Sequence, residues 1–474
     1  MAFIAVLVGC SLCALVAVVC RSVVFIPNDL RHLPRVPILP LLISYLLCES
    51  EDKRIRRLVL PYANEKGEGL VLVWALGRWM VHILDYKLGD VVFSDIRCFP
   101  KEDPPDDLLL WQLIGKSNIL LSNGEQWRKH SRNVRTAINQ AIPIRQFALL
   151  SRRLFSVINR TRVIAFDDLA QRFALDAVGT TAFGHDFDAI EHESEFVRSY
   201  NGIMHAIANP IYLIMPFLEN ILPRRALKKS MDELGGRFQD MLQEKRGNPG
   251  TDMLTYMLRD VSVSDRELRD NMLLLFIAGH DTSAGGISSL IYYLAIHGDL
   301  QERARREVLS VLGRDKDPTL ELSQQMQYLN ACVREALRIN TPISYLVPRA
   351  ASTTVQLGPY AIPPHTSIVL NIYAIHHKED DWPNPFKFDP DRFMKGSGSI
   401  APAWIPFGMG QRQCPARAFA LNEQTVLTAM LLREYEWTLP VGSSHACGIQ
   451  NAFSPFALTV PHKLDICFTK RKSI

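Results

Sequence analysis

A chain of 474 residues is long enough for about three average domains, and also for one large one. Its formal charge of +4, with 47% hydrophobic and 22% charged residues, is that of an ordinary globular protein with some extra apolar sequence, and gives no reason to expect a nucleic-acid partner. The nine cysteines are scattered without a disulfide framework, which fits a reducing compartment.

In chain order, the first feature is an uncharged apolar run from Ala2 to Cys20, about the length a helix needs to span a bilayer. No Lys or Arg precedes it and no clean small-x-small site follows, so an anchor over 2–20 is expected rather than a cleaved signal. Cys10 and Cys13 lie inside this run and lack the strand-helix context of a redox pair. Arg21, Arg31 and Arg35 follow the run and place the bulk of the chain in the cytosol. On that side the sequon at Asn159 stays bare. Pro27, Pro34, Pro37 and Pro40 predict a stiff, non-helical hinge over 21–50, with one catalytic domain over 51–474.

Within that domain, apolar runs at 70–76 and 79–85 predict a hairpin around Gly77-Arg78. From about 108 to 245 the spacing is helical, broken by Pro143, Pro210, Pro216 and Pro223. A long helix is predicted from Asp265 to about His297, then helices at 299–312 and 323–339. Strands follow at Thr353–Leu357, Tyr360–Ile362 and Ser367–Leu370, then a meander rich in Pro, Asp and Gly from 377 to 413. A last helix is expected to start at Pro415. The class is mainly α with small β-sheets, an α+β fold dominated by helix. No internal repeat is visible.

The meander ends in Phe407-Gly408-Met409-Gly410-Gln411-Arg412-Gln413-Cys414-Pro415-Ala416. Two glycines allow a tight loop whose amides approach the sulfur, and a helix start behind it favours thiolate over thiol. This segment resembles the haem-binding loop of the cytochromes P-450, F-x-x-G-x-R-x-C, with Ala416 where that family usually has Gly. The resemblance implies the P-450 fold, with a long central helix over the haem. It implies haem b (iron protoporphyrin IX) held by the Cys414 thiolate as axial iron ligand, with Phe407 and Gly410 shaping the loop and Arg412 facing a haem propionate.

Other segments carry the same resemblance. Glu335 and Arg338 form E-x-x-R, which alone reads as a solvated helical pair. With Arg392 in Pro390-Asp391-Arg392-Phe393 they match the family's buried charge triad behind the haem. Ala278-Gly279-His280-Asp281-Thr282 matches the family's A-G-x-D-T motif for oxygen activation. Gly279 weakens the helix and opens a groove, Thr282 places a hydrogen-bonding hydroxyl at the oxygen site, and Asp281 relays protons as a general acid. Trp127 resembles the family tryptophan that reaches a propionate, but the arginine expected four residues later is Ser131; Arg128 and Arg132 are the candidates to replace it. Arg349 matches a further propionate contact.

The resemblance implies a monooxygenase using O2, with a pocket drawn from 105–121, 198–217, Met272–Ala278, Ile343–Val347 and Phe453–Phe456. Those mostly apolar stretches suit a lipophilic substrate such as a terpenoid, polyketide or fatty acid. The chain shows no full G-x-G-x-x-G, so electrons are expected from a separate NADPH–cytochrome reductase, with cytochrome b5 as a further donor. The expected place is the endoplasmic reticulum membrane, single-pass, with the catalytic domain cytosolic. A non-oxygenating haem-thiolate isomerase or dehydratase, and a non-catalytic haem-binding protein, stand as alternatives. The Asp281-Thr282 pair argues against the first.

Overall fold

The proline-rich segment is not a free connector. Pro37 precedes a helix, α1, over Ile38–Leu46, and Pro40 falls in its first turn, where an N–H has no intrahelical acceptor to lose. Leu30, Leu33, Val36, Leu41 and Tyr45 are buried in the main core, and Arg35 bridges Leu72 in parallel sense. The hinge expected over 21–50 is thus corrected: from Leu30 onward it belongs to the globular body. The computed structural model describes residues 25–140, 142–192, 194–394, 402–454 and 456–471. The anchor expected at 2–20 lies outside them; among the described residues no helix is long and apolar enough to cross a membrane.

Strands β1 (Leu70–Ala75) and β2 (Arg78–Ile83) form the expected hairpin. Its turn lies at Leu76 and Gly77, φ 51° and 77°, one residue earlier than predicted, because two successive left-handed residues match the twist of the flanking strands. The remaining strands are β3 (Val163–Ala165), β4 (Val355–Leu357), β5 (Tyr360–Ile362), β6 (Ile368–Leu370), β7 (Tyr435–Thr438) and β8 (Asp465–Lys470), in sheets ordered β1-β2-β6, β3-β8-β7 and β4-β5. Parallel pairing of β2 with β6 matters for the site, because Ile368 on β6 also bridges Arg349, and Arg349 in turn bridges Lys101.

The helices that build the site are α2 (Tyr86–Ser94), α3 (Leu109–Ile114), α4 (Gly124–Ile138), α5 (Phe166–Val178), α6 (Glu195–Ile207), α7 (Asp265–Ile296), α8 (Gly298–Leu312), α9 (Leu320–Gln325), α10 (Gln327–Ile339) and α11 (Arg417–Glu434). Ser264 and Glu267 start α7 with a reciprocal capping box, after which the helix runs unbroken and almost wholly buried through its second half. The helix predicted at 323–339 is two helices parted at Met326. Glu307 on α8 accepts the Tyr328 and Leu329 N–H groups at 2.8 and 2.9 Å, satisfying the start of α10.

Candidate active site

The loop before α11 turns at Gly408 and Gly410, φ 73° and 68°. A side chain at Gly410 would run into the Phe93 carbonyl of α2, so this glycine is required by the close approach of loop and helix. Cys414 N–H donates to the Phe407 carbonyl at 2.8 Å, closing the loop on itself. Pro415 and Ala416 form a turn, and α11 starts at Arg417, later than predicted. Ala416 has φ −92°, a conformation any residue adopts, so the methyl in place of the usual glycine meets no backbone strain. Burial pushes the Cys414 thiol up, against the Ala416 N–H and the Arg135 guanidinium, which pull it down. The Ala416 N–H at the helix start thus favours the thiolate, as expected, and a bound metal would favour it further.

Cys414 shares one cavity of about 410 Å³ with Thr282, Gly279, Phe407, Trp127 and Arg349. Its polar rim is cationic. Arg412 donates to the Ser122, Ile119 and Leu120 carbonyls at 2.9–3.2 Å and lies 4.8 Å from the Trp127 ring. Burial, together with Arg349, pushes it down to about 9. Arg349, 1% exposed, is pushed down by burial to about 10, and its Nε has no partner. Buried Lys101 donates to the Val347 carbonyl at 2.9 Å and is held well below its usual range by burial, then by Arg349 and Arg412. None of the three has a carboxylate partner among the described residues, and the Trp127 indole N–H has no acceptor there. Crowded cations beside an unused donor call for an anion, and these residues fit the carboxylate edge of haem b.

On α7, a methyl at Gly279 would come within 2.9 Å of Val178 Cγ2. The absent side chain thus admits α5, and α7 runs through this position without a break while Gly279 lines the cavity. Thr282 Oγ donates to the Ala278 carbonyl at 2.7 Å, leaving its oxygen to accept on the cavity side. Asp281 accepts from Tyr200 at 2.8 Å and from Gln171 at 3.3 Å, and meets His280 Nε2 at 3.1 Å. Burial pushes Asp281 up, but His280, Tyr200 and Gln171 outweigh it and hold the carboxylate below its usual range. Two residues on, Ser283 donates to Glu423 of α11 at 2.6 Å; burial pushes that carboxyl up to about 8.

Glu335 and Arg338 are fully buried and bidentate, at 2.7 and 2.8 Å. Glu335 also accepts the Asp389 N–H at 3.0 Å and meets Arg392 Nε at 3.4 Å. Arg338 Nη1 donates to the His376 carbonyl at 2.8 Å, and His376 Nε2 accepts the Ile405 N–H at 2.9 Å. A chain of polar contacts therefore runs from the ion cluster to the strand of meander that leads into the cysteine loop.

All the predicted site residues except the triad line this one cavity or shape its loop. Lys101, Tyr200 and Arg135 were not predicted. Arg128 pairs with exposed Glu125 and Arg132 is exposed, so neither replaces the arginine missing at Ser131. The expected stretch 198–217 contributes Met204 to the wall.

A family model described as Cytochrome P450 matches residues 34–467. Cytochrome P450 4A2 of Rattus norvegicus is 29% identical over 408 residues, 78% of this chain and 79% of that protein. Cytochrome P450 monooxygenase xanG of Aspergillus fumigatus is 25% identical over 458 residues, 88% and 84%. The crystal structure of the cytochrome P450DA heme domain superposes with a TM-score of 0.78 at 23% identity, covering 93% of this chain and 97% of that one.

Proposed function

This chain belongs to the cytochrome P450 family and is a haem-thiolate monooxygenase; from that premise we propose that it oxidises an uncharged lipophilic substrate, a terpenoid, polyketide or other lipid, with electrons from a separate NADPH–cytochrome reductase and with cytochrome b5 as a further donor. The observation that carries the reading is the wall of the cavity. Its cations, Lys101, Arg135, Arg349 and Arg412, gather with Trp127 and the cysteine loop, and its acid, Asp281, is already engaged by Tyr200, His280 and Gln171. Apolar groups such as Leu110, Trp111, Met204, Ile277 and Phe456 make most of the rest. A wall of this kind orients a substrate by shape and offers no fixed charge to a carboxylate.

Cys414 would hold haem, Arg412, Arg349, Lys101 and Trp127 would receive its carboxylates, and the group would supply the one-electron and dioxygen chemistry. The chain's part is to deliver protons and exclude water. Asp281 hands protons inward from the Tyr200 and His280 side, and Thr282 accepts a hydrogen bond at the oxygen site. Reductase docking is supported by exposed Arg132 on α4, the helix whose Arg135 reaches the cysteine loop, with Arg128 and Lys129 beside it ion-paired to Glu125 and Glu267. Attachment to the endoplasmic reticulum membrane, with the catalytic domain cytosolic, is supported by exposed Leu39, Ile43, Leu46 and Leu47 on and beside α1, and by exposed Ile211, Ile221 and Leu222.

The test is in two parts. Reduced protein with carbon monoxide is expected to show the red-shifted band of a thiolate ligand, lost in Cys414→Ser. Membranes holding the protein and a reductase, fed a lipophilic extract, are expected to yield products one oxygen heavier, dependent on NADPH and O2. Conversion without NADPH or O2 would instead favour an isomerase or dehydratase.

A further inference from the structure

Ser131 stands where the pattern resembled by Gly124–His130 has an arginine, and the cation on α4 that reaches the site is Arg135. Side chains on a helix lean toward its N-terminus, so a long one at 135 covers the turn occupied by 131. Arg135 Nε donates to Ser131 Oγ at 3.0 Å, and Nη2 donates to the Gln411 and Gln413 carbonyls at 3.0 and 3.3 Å. Those carbonyls flank Arg412, and the second immediately precedes Cys414. Three contacts through two nitrogens fix the guanidinium plane. Nη1 is left without a protein acceptor among the described residues, on a side chain that lines the cavity.

We propose that Arg135, oriented by Ser131, is a positioning residue that clamps the loop entering Cys414 and presents Nη1 to the anionic edge of haem, doing from one turn further along α4 what an arginine at 131 would do. The serine and the displaced arginine are two halves of one change. A hydroxyl at 131 is short enough to leave the space that the Arg135 head fills, and it accepts the bond that aims that head. An arginine at 131 would compete for the same volume.

This inference rests on the haem-thiolate reading, so the wild-type carbon monoxide band is the control: without it that reading fails, whatever Arg135 does. Haem transfer from purified holoprotein to excess apomyoglobin is the measurement. Arg135→Gln is expected to speed haem loss about tenfold, the scale of one charge-assisted hydrogen bond, and Ser131→Ala to speed it less. Adding Ser131→Arg to Arg135→Gln is expected to bring the rate back toward wild type. A wild-type rate in Arg135→Gln overturns the proposal. So does a double variant that loses haem as fast as Arg135→Gln, since Arg135 would then be a loop clamp alone. Should Arg135→Gln not fold, Arg135→Lys keeps the charge but cannot hold Ser131 and both carbonyls together; an intermediate rate supports the proposal, and a wild-type rate overturns the orienting role of Ser131.

Discussion

Tyr200 on α6 donates its phenol to Asp281 of α7 at 2.8 Å, and one turn further along the same helix Met204 stands in the cavity wall. The helix that lines the cavity also holds the acid of the A-G-x-D-T stretch.

Removing that phenol with Tyr200→Phe takes away a donor that favours the carboxylate form of Asp281, so its titration moves upward. A lost hydrogen bond of about 1 kcal/mol corresponds to somewhat less than one pH unit. The alkaline limb of the turnover profile, where a general acid loses its proton, is expected to move to higher pH by that amount, with haem content unchanged. A superimposable profile would leave Tyr200 a packing residue. Asp281→Asn, by contrast, is expected to slow turnover on the order of 100-fold, as loss of a general acid does.

Thr282→Ala removes the oxygen that accepts on the cavity side and the bond to the Ala278 carbonyl. The variant is expected to bind haem normally while releasing more hydrogen peroxide and less product per NADPH consumed. Product, peroxide and NADPH measured together decide it; unchanged coupling would remove Thr282 from the oxygen site.

Glu335→Gln leaves Arg338 buried with half its carboxylate contacts weakened and its charge uncompensated. The expected loss is about 3–5 kcal/mol, the cost of breaking a buried pair from one side. Because Arg338 leads through His376 to Ile405, haem content should fall with stability. Denaturant midpoints and haem-to-protein ratios measure both. A variant that loses stability yet retains full haem would break the connection drawn between the cluster and the cysteine loop.

The carboxyl of Glu423, raised by burial to about 8 from an ordinary value near 4.5, binds its proton more tightly folded than unfolded. Its contribution is fully present below the unfolded value and is lost as pH rises through about 8. Glu423→Gln has no such proton to lose. Its melting temperature relative to wild type is expected to rise between pH 5 and pH 9, and a constant difference would show that Glu423 is not protonated when folded.

The cysteine loop, the E-x-x-R pair and the A-G-x-D-T stretch were legible because each packs its chemistry into a few consecutive residues whose spacing carries the geometry. The long helix was legible from its apolar pattern. Lys101 was not: its place depends on a bridge to Arg349, 248 positions away by subtraction of their numbers. Glu423 likewise meets Ser283 only through the crossing of α7 and α11. Arg135 was not legible because nearness in sequence points to Arg128 and Arg132, whereas side-chain lean carries position 135 back over Ser131. Proline density misread α1, since a proline in a first turn costs a helix little.

Lys101, Arg349 and Arg412 crowd together in one buried corner with no carboxylate partner among the described residues, and an anion among them would relieve their repulsion. A freshly made chain therefore carries a self-repelling knot that porphyrin relieves, so ligation and folding are linked by mass action. In a cell, such a chain waiting for its cofactor is exposed to proteases for longer than one already loaded. Accumulation of this protein should then follow the supply of porphyrin as closely as the supply of its messenger, and cultures fed a porphyrin precursor should yield more of it per transcript.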